Sequence, residues 1–298
     1  MAGQMVLWFI ATRPKTLVAS IIPVSLGGCL AVKQVGVDVI NILLLILCFA
    51  FALLIQVATN FFNDYSDNLK GADDQRTLGP TRFSHQGLLN GKSLRNASFI
   101  ILLLAFGIGL FIMEYSGATR WLLLVGTTSV LCALAYTGGP IPFAYNGLGD
   151  IFVILFFGFV AVCTTHYVMV VSAQQAWSPN WIVPLGIGFL INNLLVVNNY
   201  RDWKTDRDVG KKTLVVLLGR KFGLLLFFLG NVVPLVVCPI MDKQFIAVTV
   251  FIPVGLYLYY LLQVAKSKRD YSFLLAGTSM LIVSYGILVG WLLAFKAS

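Results

Sequence analysis

The chain has 298 residues, 58% of them hydrophobic and only 11% charged, with a formal net charge of +9 at pH 7. Soluble domains carry about a quarter charged residues, so this composition excludes one and indicates a polytopic membrane protein. The basic residues fall between apolar runs, which argues against a nucleic-acid-binding face and marks them as membrane-flanking charges.

The opening "MVLWFIATRPKT" reads as an interfacial helix that dips Trp8 and Phe9 into the headgroup layer. No cleavable leader is expected there, because the apolar run is short and no small-residue cleavage site follows it. Apolar runs then predict spans over about 17–33, 38–62, 95–114, 119–137, 148–172, 181–201, 221–239, 244–264 and 272–295. The expected fold is therefore all-α, a polytopic membrane bundle of about nine transmembrane helices in one integral-membrane domain covering 1–298. Prolines at 23, 184, 234 and 253 fall inside spans, where kinks shape cavities. The five cysteines, Cys29, Cys48, Cys132, Cys163 and Cys238, all lie in apolar runs without metal-ligand spacing and read as small buried hydrophobes.

With the N-terminus in the cytoplasm, seventeen of the 21 Lys and Arg residues fall on the cytoplasmic side. The other side holds Lys33, Arg120, Lys243 and Lys296. That asymmetry sets the expected orientation, in a plasma (inner) membrane if the chain is bacterial.

Seven of the twelve acidic residues form two clusters, Asp64, Asp67, Asp73 and Asp74 in "NFFNDYSDNLKGADDQR" and Asp202, Asp206 and Asp208 in "NNYRDWKTDRDVGKKTL". Each sits at the predicted cytoplasmic end of a span, the second and the sixth. Asn60, Asp64 and Asp67 are spaced 4 then 3, and Asn198, Asp202 and Asp206 are spaced 4 and 4, so each set forms one stripe on a helix. Like charges four residues apart weaken a helix, and a carboxylate in the bilayer is costly. A cation that neutralises them is expected. Oxygen ligands of this kind suit a hard cation such as Mg²⁺, which is commonly held by one or two carboxylates plus substrate phosphate oxygens. Two such stripes facing each other would bind a diphosphate through Mg²⁺, with Lys70, Lys211 and Lys212 touching it directly. The plainer alternative for a single cluster is a solvated helix end. The matching stripes four spans apart argue against it and hint at an internal repeat.

These two stretches resemble the aspartate-rich motifs of the UbiA superfamily of intramembrane prenyltransferases. "RPKTL" near the start and "YTGGP" with "YNGLGD" at 136–150 resemble its menaquinone-pathway branch, which acts on 1,4-dihydroxy-2-naphthoate. The 4-hydroxybenzoate members typically carry a third aspartate where this chain has Gly71, which leaves open whether Asp73 or Asp74 replaces it. The resemblance implies transfer of a polyprenyl group from polyprenyl diphosphate to dihydroxynaphthoate, with loss of CO₂. It implies metal binding by Asn60, Asp64, Asp67, Asn198, Asp202 and Asp206, the four aspartates being catalytic. Substrate contacts are expected from Asn63, Lys70, Asn199, Arg201, Lys211 and Lys212, with Arg76 and Arg82 as weaker candidates. Tyr136, with Thr137, is expected near the diphosphate, and Tyr145, which flanks the same loop, is expected to bind substrate with it. Asp150 either contacts the acceptor hydroxyls or the allylic cation, or caps the fifth helix. Arg13 either pairs with the acceptor carboxylate or flanks the membrane ahead of Pro14. His85 and His166 are expected to be bystanders. Other acceptors, 4-hydroxybenzoate or homogentisate, are the rival substrates. A membrane transporter is the rival from another class, disfavoured because the aspartates sit at span ends rather than midplane.

Overall fold

The computed structural model describes residues 2–37, 41–71, 78, 83–84 and 87–295. Asp38, Asp73, Asp74, Arg76, Arg82, His85 and Lys296 lie outside the described residues. The described residues form helices and connecting turns, in the order α1 (Ala2–Ala11), α2 (Val18–Val35), α3 (Ile42–Leu69), α4 (Gly91–Ser116), α5 (Trp121–Ala135), α6 (Gly149–Val153), α7 (Ala161–Ser172), α8 (Ile182–Asp208), α9 (Leu214–Leu218), α10 (Arg220–Val232), α11 (Cys238–Met241), α12 (Ile252–Val264) and α13 (Lys268–Phe295). A π-helical stretch, Ile154–Val160, joins α6 to α7, a second, Val233–Val237, joins α10 to α11, and a 3₁₀ stretch, Lys243–Phe251, leads into α12. Eight of the resulting rods are long and apolar enough to cross a membrane.

The predicted fourth span is the exception, since α5 has 15 residues. At 1.5 Å per residue it covers about 22 Å, less than a bilayer core of about 30 Å. Its end is set by a Gly-Gly-Pro turn. Gly139 takes a positive φ of 76°, and a Cβ on Gly138 would lie 2.5 Å from the Phe62 ring.

Both motif-bearing helices run further than the apolar pattern predicts. α3 continues to Leu69 and α8 to Asp208, so the aspartates sit in the last helical turns rather than in loops. α8 is the central rod, with 72% of its most apolar window buried, and it is buried on all sides as expected for a core helix. It crosses the π-helical stretch at van der Waals distance. A Cβ on Gly158 would fall 2.5 Å from the Pro184 carbonyl oxygen, and Gly188 lies against the same point. Small residues at crossings allow such backbone approach in membrane bundles. α3 packs along α4, and α2 packs between α7 and α13.

The helix expected at the N-terminus is present. α1 forms and leaves Phe9 exposed, but Trp8 turns inward and packs edge-on against Phe61, 5.3 Å between ring centroids. His166 is held on both ring nitrogens. The Trp177 indole N–H donates to Nδ1 at 3.0 Å, and Nε2 lies 2.8 Å from Gln34 Oε1.

Candidate active site

The last turns of α3 and α8 face a single cavity of about 1040 Å³. Asn60, Asn63 and Asp67 enter its wall from one side, and Asn198, Asn199, Arg201, Asp202 and Asp206 from the other. Arg13, Tyr136, Asp150 and Lys211 also line it. Apart from Asp64, the two stripes, spaced 4 and 3 on α3 and 4 and 4 on α8, are thus brought to one cavity.

Four expected residues lie off the wall: Asp64, Lys70, Tyr145 and Lys212. The Asp64 carboxylate turns toward the chain that follows α3 and accepts a hydrogen bond from the Phe83 N–H at 3.1 Å through Oδ2. Its Oδ1 is buried and has no hydrogen-bond partner among the described residues. The Lys70 ammonium donates to the Thr137 carbonyl and lies 4.2 Å from the Tyr145 ring centroid. The Lys212 side chain is exposed, while its backbone N–H donates to the Tyr145 carbonyl at 3.0 Å.

Protein cations provide part of the charge compensation expected of a bound ion. Arg201 grips Asp202 with Nε and Nη2, each at 2.7 Å. Lys211 Nζ lies 3.6 Å from Asp206. Arg13 is close enough for its charge to act on Asp64. Arg13 takes a left-handed conformation, φ 55° and ψ 63°, and its carbonyl accepts from Thr16 Oγ1 at 2.9 Å. Asn60 donates through Nδ2 to the Thr12 carbonyl at 2.9 Å, tying α3 to the same N-terminal segment. Asn198 donates to the Leu194 carbonyl one turn back, also at 2.9 Å.

The loop 136–148 closes one side. Thr137 is its anchor, with its hydroxyl donating to Asn63 Oδ1 at 2.7 Å and its carbonyl accepting from Ser66 Oγ at 2.8 Å. Burial lowers the Lys70 pKa below the usual lysine value, and the like charge of Lys211 lowers it further, against the opposing pull of Asp67.

Asp150 does not cap its helix. Leu148 holds the cap position, and the buried Asp150 carboxylate accepts from Asn192 Nδ2 at 3.1 Å. Asn192, which holds the cavity-lining Asp150, is a supporting residue the sequence reading passes over. The signal was a polar pair, Asn192–Asn193, inside the apolar run of α8. Lys268 and Ser272 on α13 also line the cavity and were missed, because only folding brings α13 to the motifs. Arg207 and Asp208, 3.4 Å apart, are exposed and face away.

Beyond the polar end the cavity turns apolar. Phe152 and Phe156 line it, with Phe143 stacked on Phe152 at 3.8 Å. It continues along α3 through Gln56 and Ala52 to Cys48, and along α4 and α5 to Leu110, Met113 and Leu122. The 19 residue steps from Asp67 back to Cys48 span about 28 Å of helix, close to the thickness of the hydrocarbon core.

Among the described residues no three carboxylate, His or Cys side chains converge as a ready-made metal cage. The donor set nonetheless fits a hard divalent cation. Asp64 keeps a buried orphan oxygen, and Asp67, Asp202 and Asp206 line the cavity. A cation that takes part of its coordination from a ligand's phosphate oxygens needs no closed protein cage.

A sequence model of the UbiA prenyltransferase family matches residues 20–284. The chain belongs to the UbiA prenyltransferase family. Among its relatives, the 1,4-dihydroxy-2-naphthoate octaprenyltransferase of Haemophilus influenzae is 33% identical over 218 residues, 72% of this chain and 69% of the relative. The Bacillus subtilis protein of the same name is 34% identical over 223 residues, 74% of this chain and 67% of the relative. The UbiA prenyltransferase domain-containing protein 1 of Danio rerio is 32% identical over 232 residues, 76% of this chain and 66% of the relative. The fold matches that of a UbiA homologue from Aeropyrum pernix K1, with a TM-score of 0.69, 15% identity, and 92% and 97% of the two chains covered. It also matches an Archaeoglobus fulgidus homologue bound to GPP and Mg²⁺, with a TM-score of 0.64, 14% identity, and 95% and 98% coverage.

Proposed function

We propose that this UbiA-family membrane protein is a divalent-metal-dependent aromatic prenyltransferase of menaquinone biosynthesis. It transfers a polyprenyl group from its diphosphate to 1,4-dihydroxy-2-naphthoate, releasing CO₂ and diphosphate and giving a demethylmenaquinone. The observation that carries the reading is the convergence of two aspartate stripes on the mouth of one long apolar cavity. Its choice of acceptor draws on bacterial relatives named for dihydroxynaphthoate, at 33% to 38% identity. Its choice of Mg²⁺ draws on the metal bound by the Archaeoglobus homologue.

In this reading Asp64, Asp67, Asp202 and Asp206 hold the metal, with Asn60 and Asn198 as neutral neighbours in each stripe. When bound, the metal neutralises charge growing on the leaving diphosphate oxygen. Lys211 and Arg201 add positive charge at the same end of the cavity, with Lys70 and Lys212 bracing the loop behind it. The Phe152 and Phe156 wall keeps water from the allylic centre. Asp150, held by Asn192, faces the acceptor ring together with the Tyr136 phenol. Arg13, from the N-terminal turn, meets the acceptor carboxylate.

The electron count closes without a permanent base. The allylic C–O pair leaves on diphosphate, the carboxylate-bearing ring carbon forms the new C–C bond, and the C–CO₂⁻ pair returns to the ring as CO₂ departs. Asp150 therefore accepts a hydrogen bond from a ring hydroxyl rather than removing a proton for good.

The test is turnover of geranyl diphosphate by purified protein with dihydroxynaphthoate, 4-hydroxybenzoate and homogentisate in parallel, with Mg²⁺ or with excess chelator. The reading expects product from dihydroxynaphthoate only, abolished by chelator. Preference for another acceptor, or full turnover in chelator, overturns it.

A further inference from the structure

Tyr145 is off the cavity wall, yet two of its contacts, Asp67 and Lys211, are residues that form it. Its hydroxyl donates to Asp67 Oδ1 at 2.8 Å. Lys211 Nζ, which lies 3.6 Å from Asp206, stands 5.4 Å from the Tyr145 ring centroid. The Lys70 ammonium lies 4.2 Å from the same centroid. The Tyr145 carbonyl accepts from the Lys212 N–H at 3.0 Å. One residue of a 3₁₀ turn, Phe143–Tyr145, is thus bonded to both aspartate motifs, which are more than a hundred residues apart in sequence.

The chemistry of a phenol suits this double attachment. The O–H donates to a carboxylate, a charge-assisted bond that fixes the carboxylate's rotation. The ring face is negative and attracts ammonium groups that approach within about 6 Å. A plain loop anchor would need neither feature, since a leucine fills space as well. Here the path Asp67–Tyr145–Lys211–Asp206 runs through side chains from one stripe to the other.

We propose that Tyr145 is a positioning residue that couples the two aspartate motifs, aiming Asp67 and Lys211 at the diphosphate-metal unit without touching it. The proposal rests on the prenyltransferase reading above, and it assigns Tyr145 a role through Asp67 and Lys211 rather than direct contact with substrate.

Two variants separate the parts. Tyr145→Phe keeps the ring and the backbone bond and removes only the hydroxyl on Asp67. Tyr145→Leu removes the ring as well. The first readout is calorimetric titration of inorganic diphosphate, in Mg²⁺, into the detergent-purified full chain. Tyr145→Phe should weaken binding by about tenfold and Tyr145→Leu by about a hundredfold, the scale of one and two polar contacts. In steady state the KM for prenyl diphosphate should rise in the same order while that for the acceptor stays within about twofold. Wild-type-like binding by both variants overturns the proposal and leaves the function intact. So does an equal loss for diphosphate and acceptor. Wild-type protein that does not bind diphosphate in Mg²⁺ overturns the functional reading and the proposal together. If Tyr145→Leu fails to fold, Tyr145→Phe alone decides, since it removes a single atom.

Discussion

Arg201 and Asp202, adjacent on α8, form a two-pronged ion pair at 2.7 Å on each arm, with side chains only 2% and 7% exposed. Buried charges of this kind are stable together and costly apart, because the lone survivor keeps its desolvation penalty. Arg201→Ala should therefore destabilise the protein by about 3–5 kcal/mol, the range for breaking a buried pair. It should also abolish activity. Arg201→Lys keeps the charge but loses the planar fork, so it should recover part of the stability. Thermal unfolding of both variants in detergent checks this ordering.

The aspartates can be ranked by what they face. Asp67→Ala and Asp202→Ala each remove a carboxylate from the cavity wall. Each should lower kcat/KM by about a hundredfold or more, the scale for losing one group that stabilises transition-state charge. Asp208→Ala, two residues beyond Asp206 but exposed and turned outward, should stay within about twofold. Equal losses at Asp202 and Asp208 would show that the segment matters only as a charged helix end.

Lys70 gives a pH prediction. Its pKa lies below the usual 10.5, with burial the main cause and Lys211 adding to it. Between that lowered value and the usual one, the unfolded chain binds more protons than the folded chain. The linkage therefore runs toward greater stability as pH rises through this window. The same shift makes Lys70 lose its charge, and with it the grip on Tyr145, at lower pH than an exposed lysine. Lys70→Arg, which stays charged, should move the alkaline limb of the activity profile upward. An unmoved limb assigns that limb to another group.

The cavity's length predicts how the tail is read. Gly126 on α5 lines the wall, and a Cβ there would meet nothing within 4 Å. The wild type should accept short and long prenyl diphosphates alike. Gly126→Phe, which fills the far part of the cavity, should leave dimethylallyl or geranyl transfer nearly intact and cut transfer of long chains by tenfold or more. Competition between chain lengths in one reaction measures this directly.

Much of this was legible in the sequence because it obeys short-range rules. Apolar length gives the spans, and spacing of 4 and 3 places Asn60, Asp64 and Asp67 on one stripe of α3. The sequence could not show which atom of that stripe turns inward. Asp64 and Asp67 share a face by periodicity, yet Asp64 bonds the Phe83 N–H while Asp67 reaches the cavity. That difference is set by residues some 20 positions downstream. Arg13 looked remote from both motifs along the chain, and the left-handed turn that carries it brings its charge to Asp64. Asn192, Lys268 and Tyr145 owe their places to helix packing, which no local pattern encodes. α5 was overestimated by two residues at each end, because apolar composition registers neither the cap at Arg120 nor the approach to the turn at Gly138 and Gly139.

The loss of the acceptor's carboxyl group tests the account most directly. Purified protein in lipid nanodiscs with Mg²⁺ and geranyl diphosphate is given dihydroxynaphthoate labelled with ¹³C at the carboxyl carbon. The account predicts one ¹³CO₂ released per diphosphate formed, and a prenylated naphthalenediol without the label. A prenylated product that retains the ¹³C carboxyl, or diphosphate released without any prenylated ring, would contradict it.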